Sequence, residues 1–177
     1  MSLITTKLTI EASQLIISYL EASAVIVLSI SGMIKAAQKK MDIVGAYALA
    51  LLSAFGGGTL RDIMLERRPF FWIENDYFLF VILFICMIMA YQKGMYRLAM
   101  KLHNRSNTID AIGLALFSLS GLIAALAKDI SFLPASLIGV ITGVAGGVIR
   151  DIIVNEIPVI FRPSGLYAIA AFIGCWI

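Results

Sequence analysis

The sequence predicts an all-α integral membrane protein built from two inverted three-helix repeats, and three observations predict it. First, 60% of the 177 residues are hydrophobic and 14% charged, with a mean hydropathy of +0.95. Soluble domains carry roughly 45–50% apolar and about 25% charged residues. Second, the apolar residues form runs spread along the whole chain with short charged clusters between them, as expected when lipid is the solvent. Third, the chain is internally duplicated. Shifted by 89 residues and without a gap, SGMIKAAQK (31–39) falls on SGLIAALAK (120–128), and GGGTLRDIMLERRP (56–69) falls on AGGVIRDIIVNEIP (145–158). Between 29 and 69, 13 of 41 positions are identical, and Gly-Gly, Arg-Asp-Ile and Pro recur at fixed spacing. Chance likeness between apolar segments does not produce that pattern.

The apolar runs place membrane helices at about 12–35, 42–64, 76–92, 108–127, 133–154 and from 165 onward. A span needs about 20 apolar residues. The first five meet that length within a few residues; the sixth has only Leu166 to Ile177, so the native protein is expected to continue. Residues 1–177 form a single membrane domain, with repeat one at about 12–92 and repeat two at about 108–177. Three helices per repeat is an odd number, so the second copy is flipped across the membrane. Inverted repeats recur in transport proteins, with the pathway at the interface between halves.

Charge gives the orientation. Connections after helices one, three and five hold Lys35, Lys39, Lys40, Lys93, Arg97, Lys101, Arg105, Arg150 and Arg162, nine basic residues. The other side holds five: Lys7, Arg61, Arg67, Arg68 and Lys128. The positive-inside rule then puts the N-terminus of this multi-pass protein outside the cytoplasm. Basic residues confined to connections set topology and do not point to nucleic acid. The start, MSLITTKLTIEASQ, lacks a basic n-region with a cleavage site, so helix one is expected to direct insertion. The basic connection with Lys93, Arg97, Lys101, His103 and Arg105 also suits anionic lipid head groups, at about 1 kcal/mol per basic residue near the surface. Cys86 and Cys175 lie within apolar runs, so no disulfide framework is indicated.

Small residues mark where helices approach. Ala46, Ala50, Ala54 and Gly58 recur every four positions in helix two, and their repeat mates in helix five are Ala135, Gly139, Gly143 and Gly147. Such stripes let backbones come close. Helices two and five are therefore expected to meet near the centre, with Ala50, Ala54, Gly139 and Gly143 at the crossing. Gly56, Gly57 and Gly58, matched by Gly146 and Gly147, favour bends. Carbonyls freed by a bend need protein or water partners at membrane depth. They either line a hydrated path and replace part of a cation's hydration shell, or are satisfied by neighbouring helices.

Arg61-Asp62 and Arg150-Asp151 follow those glycines by a few residues, one pair toward each membrane face. Intramembrane ions are costly and point to function by default. Three roles fit: Arg gates a mouth, Asp attracts cations, or both cap freed backbone. Neighbouring residues point about 100° apart on a helix, so Arg and Asp need not pair with each other. Glu21 interrupts helix one, and Asp110 is its repeat mate. It either contacts an Arg or a permeating cation, or is protonated, since burial without a partner raises a carboxyl's pKa.

No phosphate loop, Cys/His metal cluster or nucleophile–base spacing occurs, so neither an enzyme, a metal site nor a cofactor is indicated. The paired motifs GGGTLRD (56–62) and AGGVIRD (145–151) resemble those of the trimeric intracellular cation channel family, most closely its small bacterial members, a group also described through glycine-transporter-type domains. The resemblance covers nearly the whole chain. It implies a homotrimer with a pore in each subunit, seven helices, an external N-terminus, and helices two and five bordering the pore at Gly56, Gly57, Gly58, Gly146 and Gly147. It implies a channel for potassium that also passes sodium; a secondary transporter of glycine or another small solute is the alternative. Animal members carry a Lys-Glu-Val-containing motif tied to phosphoinositide binding. The corresponding stretch here reads TLRDIMLERR, so the resemblance does not extend to that regulation.

Overall fold

The computed structural model describes residues 2–91, 106–162 and 167–177. Seven α-helices and a 3-10 turn make up the described chain: α1 (Ser2–Gln38), α2 (Ile43–Met64), α3 (Phe71–Glu74), α4 (Tyr77–Tyr91), α5 (Ser106–Leu126), α6 (Phe132–Ile153), the turn Val159–Phe161 and α7 (Tyr167–Gly174). Helices one to six of the sequence are thus α1, α2, α4, α5, α6 and α7. Four segments are long and apolar enough to cross a membrane: Ala12–Gln38, Ile43–Met64, Thr108–Leu126 and Phe132–Ile153. The apolar part of α4, Tyr77–Met89, is shorter. The expected ends at 92 and 165 lie outside the described residues, as does the connection with Lys93, Arg97, Lys101, His103 and Arg105.

The duplication reappears in the helix ends. Lys40, Glu66, Asp129 and Asn155 each take positive φ, between 50° and 57°. They form two pairs separated by 89. Behind each one the chain closes a Schellman cap. Met41 N donates to Ala36 O and Ile130 N to Ala125 O; Arg67 N donates to Asp62 O and Glu156 N to Asp151 O. None of the four is glycine, so the caps hold left-handed backbone against its usual steric cost. At the other end of α2, the Asp42 carboxylate accepts from Gly45 N at 2.8 Å and stops the helix from fraying.

Four long helices form the core. α1 packs on α2 and on α5, α5 packs on α6, and α2 packs on α6. The shorter α4 leans mainly on α2, and its repeat counterpart α7 leans mainly on α6. Outward faces are apolar: Tyr19, Val44, Phe80 and Phe84 are exposed, as lipid contact requires. Inside, Phe55, Phe71, Phe78, Ile82 and Phe117 cluster with Leu28 and Val25.

The α2–α6 crossing is set by two glycines. A Cβ on Gly57 would collide with the Thr142 carbonyl, and one on Gly146 with the Ser53 carbonyl. Thr142 is the repeat mate of Ser53, and Gly146 of Gly57. Ascending α2 from 53 to 57 means descending α6 from 146 to 142, so the two helices run antiparallel. That is the inversion the repeat predicts. Both helices stay α-helical through their glycines, whose evident role here is close approach.

The small-residue stripe corrects one expectation. Ala50 and Gly139 do not meet each other at the α2–α6 crossing. The Ala50 Cα faces Gly32 of α1, and the Gly139 Cα faces Gly121 of α5. Gly143 abuts the Leu114 carbonyl and Ser118 of α5, and Ala54 is fully buried in the cluster with Val25 and Phe117. The stripe binds α2 to α1 and α6 to α5. The crossing itself uses the positions one residue back, about 100° round each helix.

Gly57→Val and Gly146→Val should each force the crossing apart and destabilise by at least the ~1–3 kcal/mol typical of overpacking. A Cβ on Gly147 would meet only the Arg150 guanidinium, at 3.9 Å, among the described residues. Gly147→Ala should therefore leave the apparent melting temperature in detergent unchanged; equal losses at 57, 146 and 147 would contradict this packing.

Candidate functional site

Arg61 lies four residues beyond Gly57, and Arg150 four beyond Gly146, so each arginine's Cα is about 6 Å along its helix from the crossing glycine, on opposite sides. Arg61 is fully buried. Its Nε and Nη2 donate to Asp62 Oδ1 at 2.9 and 2.6 Å. Its Nη1 donates to Ser120 Oγ at 2.9 Å and pairs with Glu21 Oε1 at 2.5 Å. The remaining Asp62 oxygen accepts from Phe71 N at 2.8 Å. Arg67 reaches in from the following loop to Glu21 Oε1 at 3.2 Å. Arg67 also reaches Glu74 Oε2 at 3.4 Å, so two cations face three carboxylates.

The second cluster repeats the first with the arginine, its following aspartate, the partner carboxylate and the serine each displaced by 89 residues. Arg150, 3% exposed, donates from Nε and Nη2 to Asp151 Oδ1 at 2.9 and 2.8 Å. Its Nη1 donates to Ser31 Oγ and to Asp110 Oδ1, both at 2.6 Å, and Nη2 to Asp110 Oδ2 at 2.9 Å. The Ser31 hydroxyl in turn donates a hydrogen bond to Asp110 Oδ1 at 2.5 Å. Ser120 belongs to repeat two and bonds the arginine of repeat one; Ser31 belongs to repeat one and bonds the arginine of repeat two. Each cluster thus latches one repeat to the other, and bidentate guanidinium geometry makes the latch directional.

Several open choices are settled by this geometry. Glu21 contacts an arginine. Arg61-Asp62 and Arg150-Asp151 do pair with themselves, because the long side chain curls back along the helix and offsets the 100° between neighbours. Gly56, Gly57, Gly58, Gly146 and Gly147 lie at or beside the crossing. The residues that sequence reasoning missed are Ser31, Ser120, Arg67 and Glu156. Both serines open the duplicated Ser-Gly segments at 31 and 120, so a polar residue repeated in an apolar helix was the available signal.

Beyond the span of α6, Glu156 holds Lys35 at 2.6 Å, Lys39 at 2.9 Å and Arg162 at 3.5 Å. The hydrogen bond from Lys35, aided by Lys39 and opposed by partial burial, holds its carboxyl down at about 2. Among the described residues no group of three or more His, Cys, Asp or Glu side chains converges as a metal site.

Buried charge latches around an antiparallel crossing of inverted repeats define a polytopic membrane protein of transport-protein architecture. The fold matches solved channels. One is the trimeric intracellular cation channel orthologue from Rhodobacter sphaeroides, with a TM-score of 0.79 and 31% identity over 90% of this chain and 80% of that one. A prokaryotic TRIC channel in 0.5 M KCl matches with a TM-score of 0.78 and 29% identity, again over 90% of this chain and 80% of that one. The sequence matches the family described as glycine transporter over residues 18–93 and 107–177, and the chain belongs to that family. Relatives include a UPF0126 membrane protein of Vibrio cholerae, 42% identical over 84% of this chain, and the inner membrane protein YadS of Escherichia coli K12, 36% identical over 90%. The chain spans 61% of the Vibrio relative's length and 76% of YadS.

Because the folded-state carboxyl of Glu156 lies below its ordinary 4.5, the unfolded chain takes up the proton first. Its stabilisation is fully present above about 4.5 and is lost as pH falls to about 2. Melting curves of the native chain and Glu156→Gln in detergent should differ at pH 6 and converge toward pH 2. A constant gap would remove the ion cluster from the account.

Proposed function

We propose that the chain is a monovalent-cation channel, passing potassium and also sodium, with one pore in each protomer of a homotrimer. The observation that carries this reading is the likeness in fold, at 29–32% identity, to structures described as TRIC cation channels. The path runs beside the α2–α6 crossing, bordered by Gly56, Gly57, Gly58, Gly146 and Gly147. Here the crossing is shut, since a Cβ on Gly57 or Gly146 would strike a carbonyl of the opposite helix. Conduction requires α2 and α6 to separate, bending at their glycines, where helix is cheapest to deform. Carbonyls turned into the opened path then replace part of the ion's hydration.

The Arg latches control that separation. An arginine released from its carboxylates leaves uncompensated charge at membrane depth, which is costly until water enters. Opening and hydration are therefore coupled. Asp62, Asp151 and Glu21, freed from their partners, attract cations to the two mouths. The N-terminus lies outside the cytoplasm, by the nine-to-five count of basic residues.

A second reading, secondary transport of glycine or a similar solute, is favoured by the description of the matched family. It uses the same latches in alternation, one opening while the other closes.

Purified protein in planar bilayers should give stepwise, cation-selective currents under a KCl gradient, and Arg61→Ala or Arg150→Ala should alter open probability. Silent bilayers with a folded oligomer, together with saturable glycine counterflow in proteoliposomes, would replace the channel by the transporter.

A further inference from the structure

The two latches match residue for residue, but what covers them differs. At the Arg61 end the chain turns at Pro69 and enters α3, whose first residue, Phe71, is fully buried. A Cβ placed on Gly58 would collide with the Phe71 ring, so the ring fills the space above that glycine. It is wedged edge-on against Phe55 and Phe117, with centroids 5.9 and 6.2 Å away, and the Arg61 guanidinium carbon lies 5.4 Å from its centre. Its backbone N–H is tied to Asp62 at 2.8 Å. Arg67 adds a further tie from the same loop to Glu21.

The Arg150 end lacks that seal. Position 71 maps by the 89-residue shift to Ile160, half-buried within the turn Val159–Phe161. The equivalent backbone tie, Val159 N to Asp151 Oδ2, is stretched to 3.4 Å. Gly147, the mate of Gly58, faces only the Arg150 side chain among the described residues. A cavity of about 30 Å³, room for a water molecule, lies there; Asp110, Arg150 and Asp151 reach it, and the rest of its lining, Gly147, Pro158 and Ile160 included, is mostly aliphatic. The residue matching Arg67 is Glu156, which turns away to Lys35 and Lys39.

We propose that Phe71 is the plug of the Arg61 end, held in place by Asp62 and Arg61, while the Arg150 end already admits water in the same conformation. The shut path is thus closed unequally: a ring and a glycine crossing bar one side, the crossing alone the other. Release of Arg61 from Asp62 loosens the backbone tie of Phe71 in the same movement, so latch and plug open together. The role of Phe71 in ion flow rests on the channel reading; its role in barring water does not.

The test uses chains in which Cys86 and Cys175 are alanine, reconstituted in lipid nanodiscs so that both faces meet water. A water-soluble methanethiosulfonate reagent should modify Gly147→Cys with Phe71 in place, and Ser120→Cys hardly at all. Adding Phe71→Ala should speed modification of Ser120→Cys at least ten-fold and leave Gly147→Cys unchanged. Ile160→Phe, which builds a ring at the pseudo-equivalent place, should slow Gly147→Cys. Phe71→Leu, which keeps more of the packing, supplies the same comparison if the alanine chain does not fold. Equal modification of Ser120→Cys with and without the ring overturns the plug. In bilayers Phe71→Ala should raise open probability at least five-fold. Protection that behaves as stated while bilayers remain silent leaves the plug standing and removes the channel.

Discussion

Two arginines buried beside a helix crossing, in a protein whose solvent is lipid, impose the rest of this structure. An unpaired guanidinium at that depth is costly, and pairing it satisfactorily needs several acceptors in a fixed fork. One carboxylate comes from the next residue, a second from another helix of the same repeat, and a hydroxyl from the opposite repeat. That demand fixes how α1, α2, α5 and α6 sit around each guanidinium. Close approach of α2 and α6 is then possible only with Gly57 and Gly146 at the contact. The glycines bring the helices together; the arginines decide how they are aligned.

Duplication followed by inversion explains why the arrangement occurs twice, and divergence explains why the copies differ. The symmetric part comprises the arginines, their following aspartates, the partner carboxylates Glu21 and Asp110, and the exchanged serines. The asymmetric part lies in the loops after α2 and α6. One loop carries Arg67 and the aromatic Phe70–Phe71–Trp72; the other carries Glu156 and Val159–Ile160–Phe161, with an aliphatic side chain in place of Phe71. Trp72 donates to Thr59 at 3.1 Å, which fastens the aromatic loop further. Of the two loops, the one after α6, with its tie stretched to 3.4 Å, is the less firmly held.

Much of this was legible before any coordinates. The gapless 89-residue shift carried the inversion, and the glycine pairs marked the helices that cross. What failed has identifiable causes. Side-chain stripes alone do not say which neighbour a face meets, so the stripe holding Ala50 and Gly139 is expected at the α2–α6 crossing, whereas it packs on α1 and α5. Helical-wheel angles treat residues as points, whereas a long arginine folds back on its own helix and reaches Asp62. A four-residue helix such as α3 has no periodicity to detect, so Phe71 passed for part of a connection. Ser31 and Ser120 stood in the duplicated segments but drew no notice, because a hydroxyl's worth depends on a buried donor brought to it by the fold.

The most direct measurement of the central claim, that each buried arginine is held by carboxylates that in turn require it, is thermal unfolding in detergent of paired variants. Glu21→Gln and Arg61→Met, and separately Asp110→Asn and Arg150→Met, are made singly and together. Mutual dependence predicts a double-variant loss well below the sum of the two singles, at both ends of the crossing. Simple additivity at either end would show that the arginine and its carboxylate stand independently, and would contradict the account.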